Sequence, residues 1–215
     1  MYKKKPFLIV FEGVEGCGKS YQSQKLKKNL TKKGINSILT REPGGTRSAE
    51  SIRTLILKDY FNKGKEEKFD KYTDTLLYLA ARNEHIQNKI KPALKKRKVV
   101  ICDRFIDSTL AYQVYGKKVN RSFIDHIHKF ILQGIKPNVT FILKVSSSAS
   151  RLRLKKRRTK NRYDNFSQSF YTKAQKSFLK IAKNKRNYFV LDSSSNDTDL
   201  ERKIFKIVSK HLEVK

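Results

Sequence analysis

The chain has no tryptophan, one methionine (Met1), two cysteines, four prolines, and 19 acidic residues against 50 lysines and arginines. Each shortage excludes something. Two cysteines cannot form the disulfide framework of a small secreted domain. Cys17 lies in a glycine-rich segment and Cys102 in an apolar run, so both read as small buried residues of a reducing compartment. No apolar run approaches the ~20 residues of a membrane span. The apolar stretch behind the basic start of the chain stops at Glu12, too short for a signal-peptide core and cleavage site. The expectation is a soluble, cytoplasmic protein. The shortage of acids leaves a formal net charge of +31, which attracts phosphates of any kind, nucleic acid included. The lysines are spread along the chain rather than gathered in a tail, which favours a solvated surface over a dedicated polyanion site. With 215 residues, 38% of them hydrophobic, the chain suits one α/β domain with a core of its own.

The most informative stretch is residues 7–20. An apolar run, the form taken by a strand buried on both faces, leads through Glu12 into Gly13, Val14, Glu15, Gly16, Cys17, Gly18, Lys19 and Ser20. This fits the phosphate-binding P-loop, G-x-x-x-x-G-K-[ST]. The glycines let backbone N–H groups approach phosphate oxygens. Lys19 supplies a point charge between the β- and γ-phosphates, and the Ser20 hydroxyl is a ligand for Mg²⁺. A helix starting at Tyr21 aims its N-terminus at the same anion. ATP and Mg²⁺ are the implied cofactors.

Further strands are expected over 35–40, 98–103, 139–145 and 188–191, with helices over 48–58, 69–90, 107–115, 122–132, 146–158, 166–182 and 200–212. Strands alternating with helices predict a doubly wound parallel sheet flanked by helices, whose ligands sit at the carboxyl ends of the strands. The loop 41–46 with Pro43, and the pair Asp103-Arg104, fall at those ends beside the P-loop. Arg53, Arg82 and Arg104 are placed at or near this cleft, and guanidinium groups suit a bidentate grip on a second, dianionic substrate. Phosphoryl transfer to an ionised phosphate oxygen needs no strong general base, so His85, His126, His128 and His211 read as helix-surface or packing residues.

The motifs FEGVEGCGKS (11–20), TREPGGT (40–46), YLAAR (78–82), DRFIDSTLAYQ (103–113) and the pair Asn161-Arg162 resemble those of bacterial thymidylate kinases, in the same order and over nearly the whole chain. That resemblance implies a P-loop kinase fold over 1–215 with a basic lid at about 151–166. It also implies transfer of phosphate from ATP to dTMP, and a homodimer. On this likeness Glu12 faces the sugar 3′-hydroxyl and, with Ser20 and Asp103, the metal. Arg53, Arg82 and Arg104 hold the monophosphate, Arg82 also lying near the base. Tyr78 stacks on thymine, Thr109 and Gln113 read its edge, Tyr112 lies under the deoxyribose, and Pro43 walls the pocket. No cation occupies 14–17, so the catalytic arginines are expected in the lid, at Arg157 and Arg162, with Glu15 as a partner for one of them. Arg151, Arg153 and Arg158 read as a solvated basic helix end. The chain departs from the family pattern at Asn138, Lys144, Asn161 and Asp164. Alternatives are a kinase for another nucleoside or monophosphate, and a nucleic-acid-binding P-loop ATPase; the dispersed cations argue against a specific nucleic-acid partner.

Overall fold

The structure is a computed structural model that describes residues 5–57, 69–156, 167–195 and 198–213. Five strands make one parallel sheet in the order β2-β3-β1-β4-β5. They are β1 (Phe7–Glu12), β2 (Ser37–Arg41), β3 (Val99–Asp103), β4 (Val139–Lys144) and β5 (Tyr188–Asp192). The two central strands that flank the P-loop are buried throughout: β1 reads FLIVFE and β3 VVICD. Alternate residues of β1 pack on opposite faces of the sheet. Phe7, Ile9 and Phe11 join a core with Phe141 and Phe178; Leu8 and Val10 join Val100, Ile86, Ile90 and Phe105 on the other side. Helices therefore cover both faces, as an all-parallel sheet requires.

The register sets the site. Phe11 pairs with Asp103, Asp103 with Arg41, and Glu12 with Ile142. The ends of β1, β2 and β3 thus stand level. β1 lies between β3 and β4, the switch point where a crevice opens. Asn138, one of the departures from the family pattern, accepts the Leu8 N–H at 2.7 Å and fixes the start of β1 against β4.

The helices are α1 (Lys19–Lys32), α2 (Arg47–Leu57), α3 (Lys71–His85), α4 (Lys91–Lys95), α5 (Ile106–Thr109), α6 (Arg121–Leu132), α7 (Ser147–Lys155), α8 (Gln168–Ala182) and α9 (Thr198–Leu212). Asp70 caps α3 through the Tyr72 N–H, Ser146 caps α7, and Ser167 caps α8. The caps explain why α3 and α8 begin two residues later than hydrophobic periodicity suggests. The expected 69–90 helix is α3 followed by a π-helical turn, Ile86–Ile90, that runs into α4. The expected 107–115 helix is the short α5 followed by a π-helical stretch, Leu110–Gly116. π-Bulges concentrate at functional sites, and this one carries Tyr112 and Gln113. No helix among the described residues is long and apolar enough to cross a membrane.

Candidate active site

A cleft of about 540 Å³ opens at the carboxyl ends of the strands, within the ~300–1,000 Å³ of small-molecule sites. The P-loop forms one wall. Gly13 has φ +138°, and a Cβ added there would lie 2.6 Å from the Leu143 carbonyl oxygen; only glycine passes β4 so closely. Three consecutive P-loop carbonyls are held from outside the loop. Ser150 Oγ donates to Glu15 O (2.9 Å), Arg153 Nη1 to Gly16 O (3.1 Å) and Ser193 Oγ to Cys17 O (2.8 Å). Fastening the carbonyls outward suits a loop whose N–H groups must serve an anion. Lys19 Nζ lies against the carbonyl oxygens of Gly13 (3.1 Å) and Val14 (2.8 Å). Ser20 Oγ donates to Asp103 Oδ2 at 2.5 Å.

The opposite wall comes from β2, α2, α3, α5 and the π-helical stretch. Arg53, Tyr78, Arg82, Arg104, Thr109, Tyr112, Gln113 and Pro43 all line the cleft, as the sequence reading expects. Arg104 has φ +72°, an uncommon left-handed conformation for a non-glycine residue. Its guanidinium donates to Glu15 Oε1 (2.7 Å), Gly13 O (3.0 Å) and Ser108 Oγ (3.0 Å) and lies 5.3 Å from the Tyr112 ring centroid. Tyr112 Oη donates to the other oxygen of Glu15 at 2.6 Å. Burial alone would raise the Glu15 carboxyl, but Arg104, Lys19 and Tyr112 hold it below the usual range. Glu15, expected opposite a lid arginine, is therefore committed to Arg104 and Tyr112.

Arg82 is 3% exposed and sits in a buried polar network. Its Nε donates to Glu42 Oε2 (2.7 Å), Nη1 to Thr109 Oγ1 (2.7 Å) and His128 Nε2 (2.8 Å), and Nη2 to Phe105 O (2.8 Å). Glu42 also meets His85 Nδ1 at 3.1 Å, and His85 Nε2 meets Thr40 Oγ1 at 2.7 Å. Burial opposes the Glu42 charge, yet Arg82 and His85 keep its carboxyl below the ordinary range. Gln113 is 2% exposed, and its Nε2 has no hydrogen-bond partner among the described residues. A buried orphan donor in a cleft calls for an acceptor from outside the protein, a ligand or a water.

Other residues singled out in the sequence lie behind or beyond this lining. Glu12 lies outside the cleft lining and is fully buried. Its carboxyl oxygens accept from the N–H groups of Phe105 (2.8 Å) and Ser108 (3.1 Å) and from Ser108 Oγ (2.6 Å), so it braces the start of α5 behind the lining residues. Gly13, Val14 and Cys17 are also behind the lining, because the loop offers Glu15, Gly16, Gly18, Lys19, Ser20 and Tyr21 to the cleft. Arg153 is no solvated helix end: it lines the cleft and also donates to the carbonyls of Ser193 (2.8 Å) and Ser194 (2.7 Å). Of the two alternatives read for the histidines, His85 and His128 take the packing one: both are buried in this network. Arg157 and Arg162 lie outside the described residues. Sequence reasoning missed Glu42, although its place between Arg41 and Pro43, in a loop read as part of the site, was a usable signal.

Ser20, Asp103, three arginines and the orphan Gln113 donor line one cleft, a composition that suits phosphorylated ligands. Residues 11–204 match the family model described as thymidylate kinase. The chain is similar to the thymidylate kinase of Wolbachia sp. subsp. Brugia malayi (strain TRS), with 42% identity over 199 residues, 91% of this chain and 88% of that one. It is 39% identical over 191 residues to the thymidylate kinase of Geobacillus sp. (strain WCH70), covering 88% of this chain and 89% of the relative. A crystal structure of thymidylate kinase from Ehrlichia chaffeensis superposes with a TM-score of 0.74 at 33% identity, over 95% of this chain and 99% of that one. The geometry of the cleft and these likenesses along almost the whole length agree: the chain belongs to the thymidylate kinase family, whose members are kinases.

Proposed function

We propose that this cleft transfers the γ-phosphoryl group of ATP to the phosphate of dTMP, giving dTDP and ADP. The observation that carries the reading is the shared cleft. Arg53, Arg82 and Arg104 line the same cavity as Lys19 and Ser20, with the unpaired Gln113 Nε2 among them. One half offers charge and N–H groups to a triphosphate; the other offers guanidinium groups and a base-reading donor to a nucleoside monophosphate.

The P-loop N–H groups and Lys19 orient the donor. Arg104 sits between the P-loop and Tyr112, held by Glu15, and is placed to grip the acceptor phosphate where donor and acceptor meet. Tyr78 and Pro43 wall the base, and Gln113 and Thr109 read it. Tyr112 lies under the sugar. The acceptor phosphate oxygen is already ionised, so positioning and charge neutralisation carry the reaction. Ser20 and Asp103 suit Mg²⁺: a hydroxyl and one carboxylate, both hard oxygen donors, are what such an ion takes from protein when substrate phosphates complete its shell. Bound there, Mg²⁺ supplies charge to the phosphates. Arg157 and Arg162 are the proposed lid cations, supported by the lack of any cation at 14–17. A homodimer in the cytoplasm is part of the same proposal.

The test is a coupled ATP-consumption assay in Mg²⁺ with dTMP, dUMP, other monophosphates and thymidine as acceptors. Turnover is expected with dTMP well above thymidine. Good activity with thymidine and poor activity with both dTMP and dUMP would sink the reading.

A further inference from the structure

The buried histidine on α6 is used by none of the P-loop chemistry. α6 lies outside the strand ends, and no motif read from the sequence includes it. Yet His128 reaches the guanidinium of Arg82, which also holds Glu42. Arginine stays protonated and only donates, so the 2.8 Å contact fixes the roles: Arg82 Nη1–H donates, and His128 Nε2 accepts. The ring is therefore neutral, with its proton on Nδ1. Both hydrogens of Nη1 are spoken for, one by His128 and one by Thr109. Nε is taken by Glu42, and one N–H of Nη2 by Phe105 O. Four of five donors are thus bound within the protein. The partners come from the loop after β2, α5, the residue before α5, and α6. The plane of this cleft-lining guanidinium is over-determined, and His128 is the one partner on an element otherwise remote from the site.

We propose that His128 is a positioning residue for acceptor binding: its neutral Nε2 holds Arg82 in the plane in which that guanidinium meets the nucleoside monophosphate. The proposal rests on the acceptor reading above. The charged groups facing His128 are Arg82 on α3 and Glu42 in the loop after β2. Burial and the Arg82 charge together push the imidazole down to about 3, against the opposing pull of Glu42, so the accepting form persists through the physiological range. Loss of the acceptor strands a buried arginine donor, whereas a glutamine amide oxygen can reach the same place.

The experiment compares wild-type protein with H128L and H128Q. H128L removes the acceptor and is expected to raise KM for dTMP by ~10-fold, because Arg82 is then no longer held in its plane in the free protein and must be re-ordered on binding. Its kcat and KM for ATP should stay within about twofold, because the donor half is untouched. H128Q should recover most of the dTMP KM. An unchanged dTMP KM in H128L, or H128Q as impaired as H128L, would overturn the inference. Independently of turnover, long-range ¹H–¹⁵N correlation spectra should show His128 with its proton on Nδ1 and no titration between about pH 5.5 and 8. A proton on Nε2, or titration near the ordinary histidine value, would overturn the inference even if the H128L variant failed to fold. Wild-type protein that has this tautomer but does not phosphorylate dTMP would refute the acceptor reading while supporting the clamp on Arg82.

Discussion

At the scale of single residues, two carboxyl groups near the P-loop do opposite work. Asp103 lines the cleft and holds Ser20 at 2.5 Å. On the proposed Mg²⁺ role, removing its charge in D103N is expected to lower kcat by ~10–100-fold, with little change in the KM for dTMP. Steady-state kinetics across a Mg²⁺ titration would check this, and D103N turning over like wild type at all Mg²⁺ concentrations would remove Asp103 from the metal site. Glu12 is buried, and burial together with the charge of Asp107 pushes its carboxyl up from 4.5 to about 8, against hydrogen bonds from Ser108 and Phe105 and the charge of Arg104. The folded state then keeps a proton that the unfolded chain has released. Between about pH 4.5 and pH 8 the Glu12 contribution to stability falls as pH rises. In E12Q that falling component should vanish, leaving a stability-versus-pH curve tilted upward relative to wild type. Urea denaturation of both proteins at several pH values in this window reads the difference directly; parallel curves would contradict the assignment.

At the scale of elements, the P-loop is held by the segments after β4 and β5. Ser150 and Arg153 of α7, and Ser193 after β5, take three successive loop carbonyls. Arg153 also ties Ser193 and Ser194 to α7. The R153A variant should therefore loosen the loop on its ATP side. The expected result is a raised KM for ATP, a dTMP KM close to wild type, and a stability loss of about 1–3 kcal/mol from hydrogen bonds of a charged donor. Calorimetric unfolding and two-substrate kinetics would separate the effects, and an unchanged ATP KM would leave Arg153 without a part in holding the loop for ATP. The strands and most helices could be read from the sequence because their signals are local: a buried run, a period of 3.6, a glycine stop. The caps at Asp70 and Ser167 were local signals that the periodicity reading passed over, whereas the π-helical turns at Ile86–Ile90 and Leu110–Gly116 were not legible in that way. Helical periodicity continues through a π-turn in sequence, while the hydrogen bonding that defines it depends on what the helix packs against.

At the scale of the molecule, the excess of cations sits on a fold that places its chemistry elsewhere. A charge of +31 should cause non-specific binding to DNA at low salt. That affinity should drop by at least ~10³ between about 50 and 200 mM salt, while kinase turnover changes far less, because buried charges are screened less than exposed ones. Fluorescence anisotropy with a labelled oligonucleotide tests this, and tight binding that survives moderate salt would favour a nucleic-acid role instead. The sequence by itself determined the parallel α/β class, the P-loop, the arginine wall and the family, because each rests on residue types at short, constrained spacings. Only the tertiary structure decided which polar side chains are spent on one another. Glu12 is paired across 96 positions with Ser108, Glu15 across 89 with Arg104, and Arg82 across 46 with His128. A long polar side chain takes the partner that packing brings within about 3 Å, and no local pattern encodes that choice.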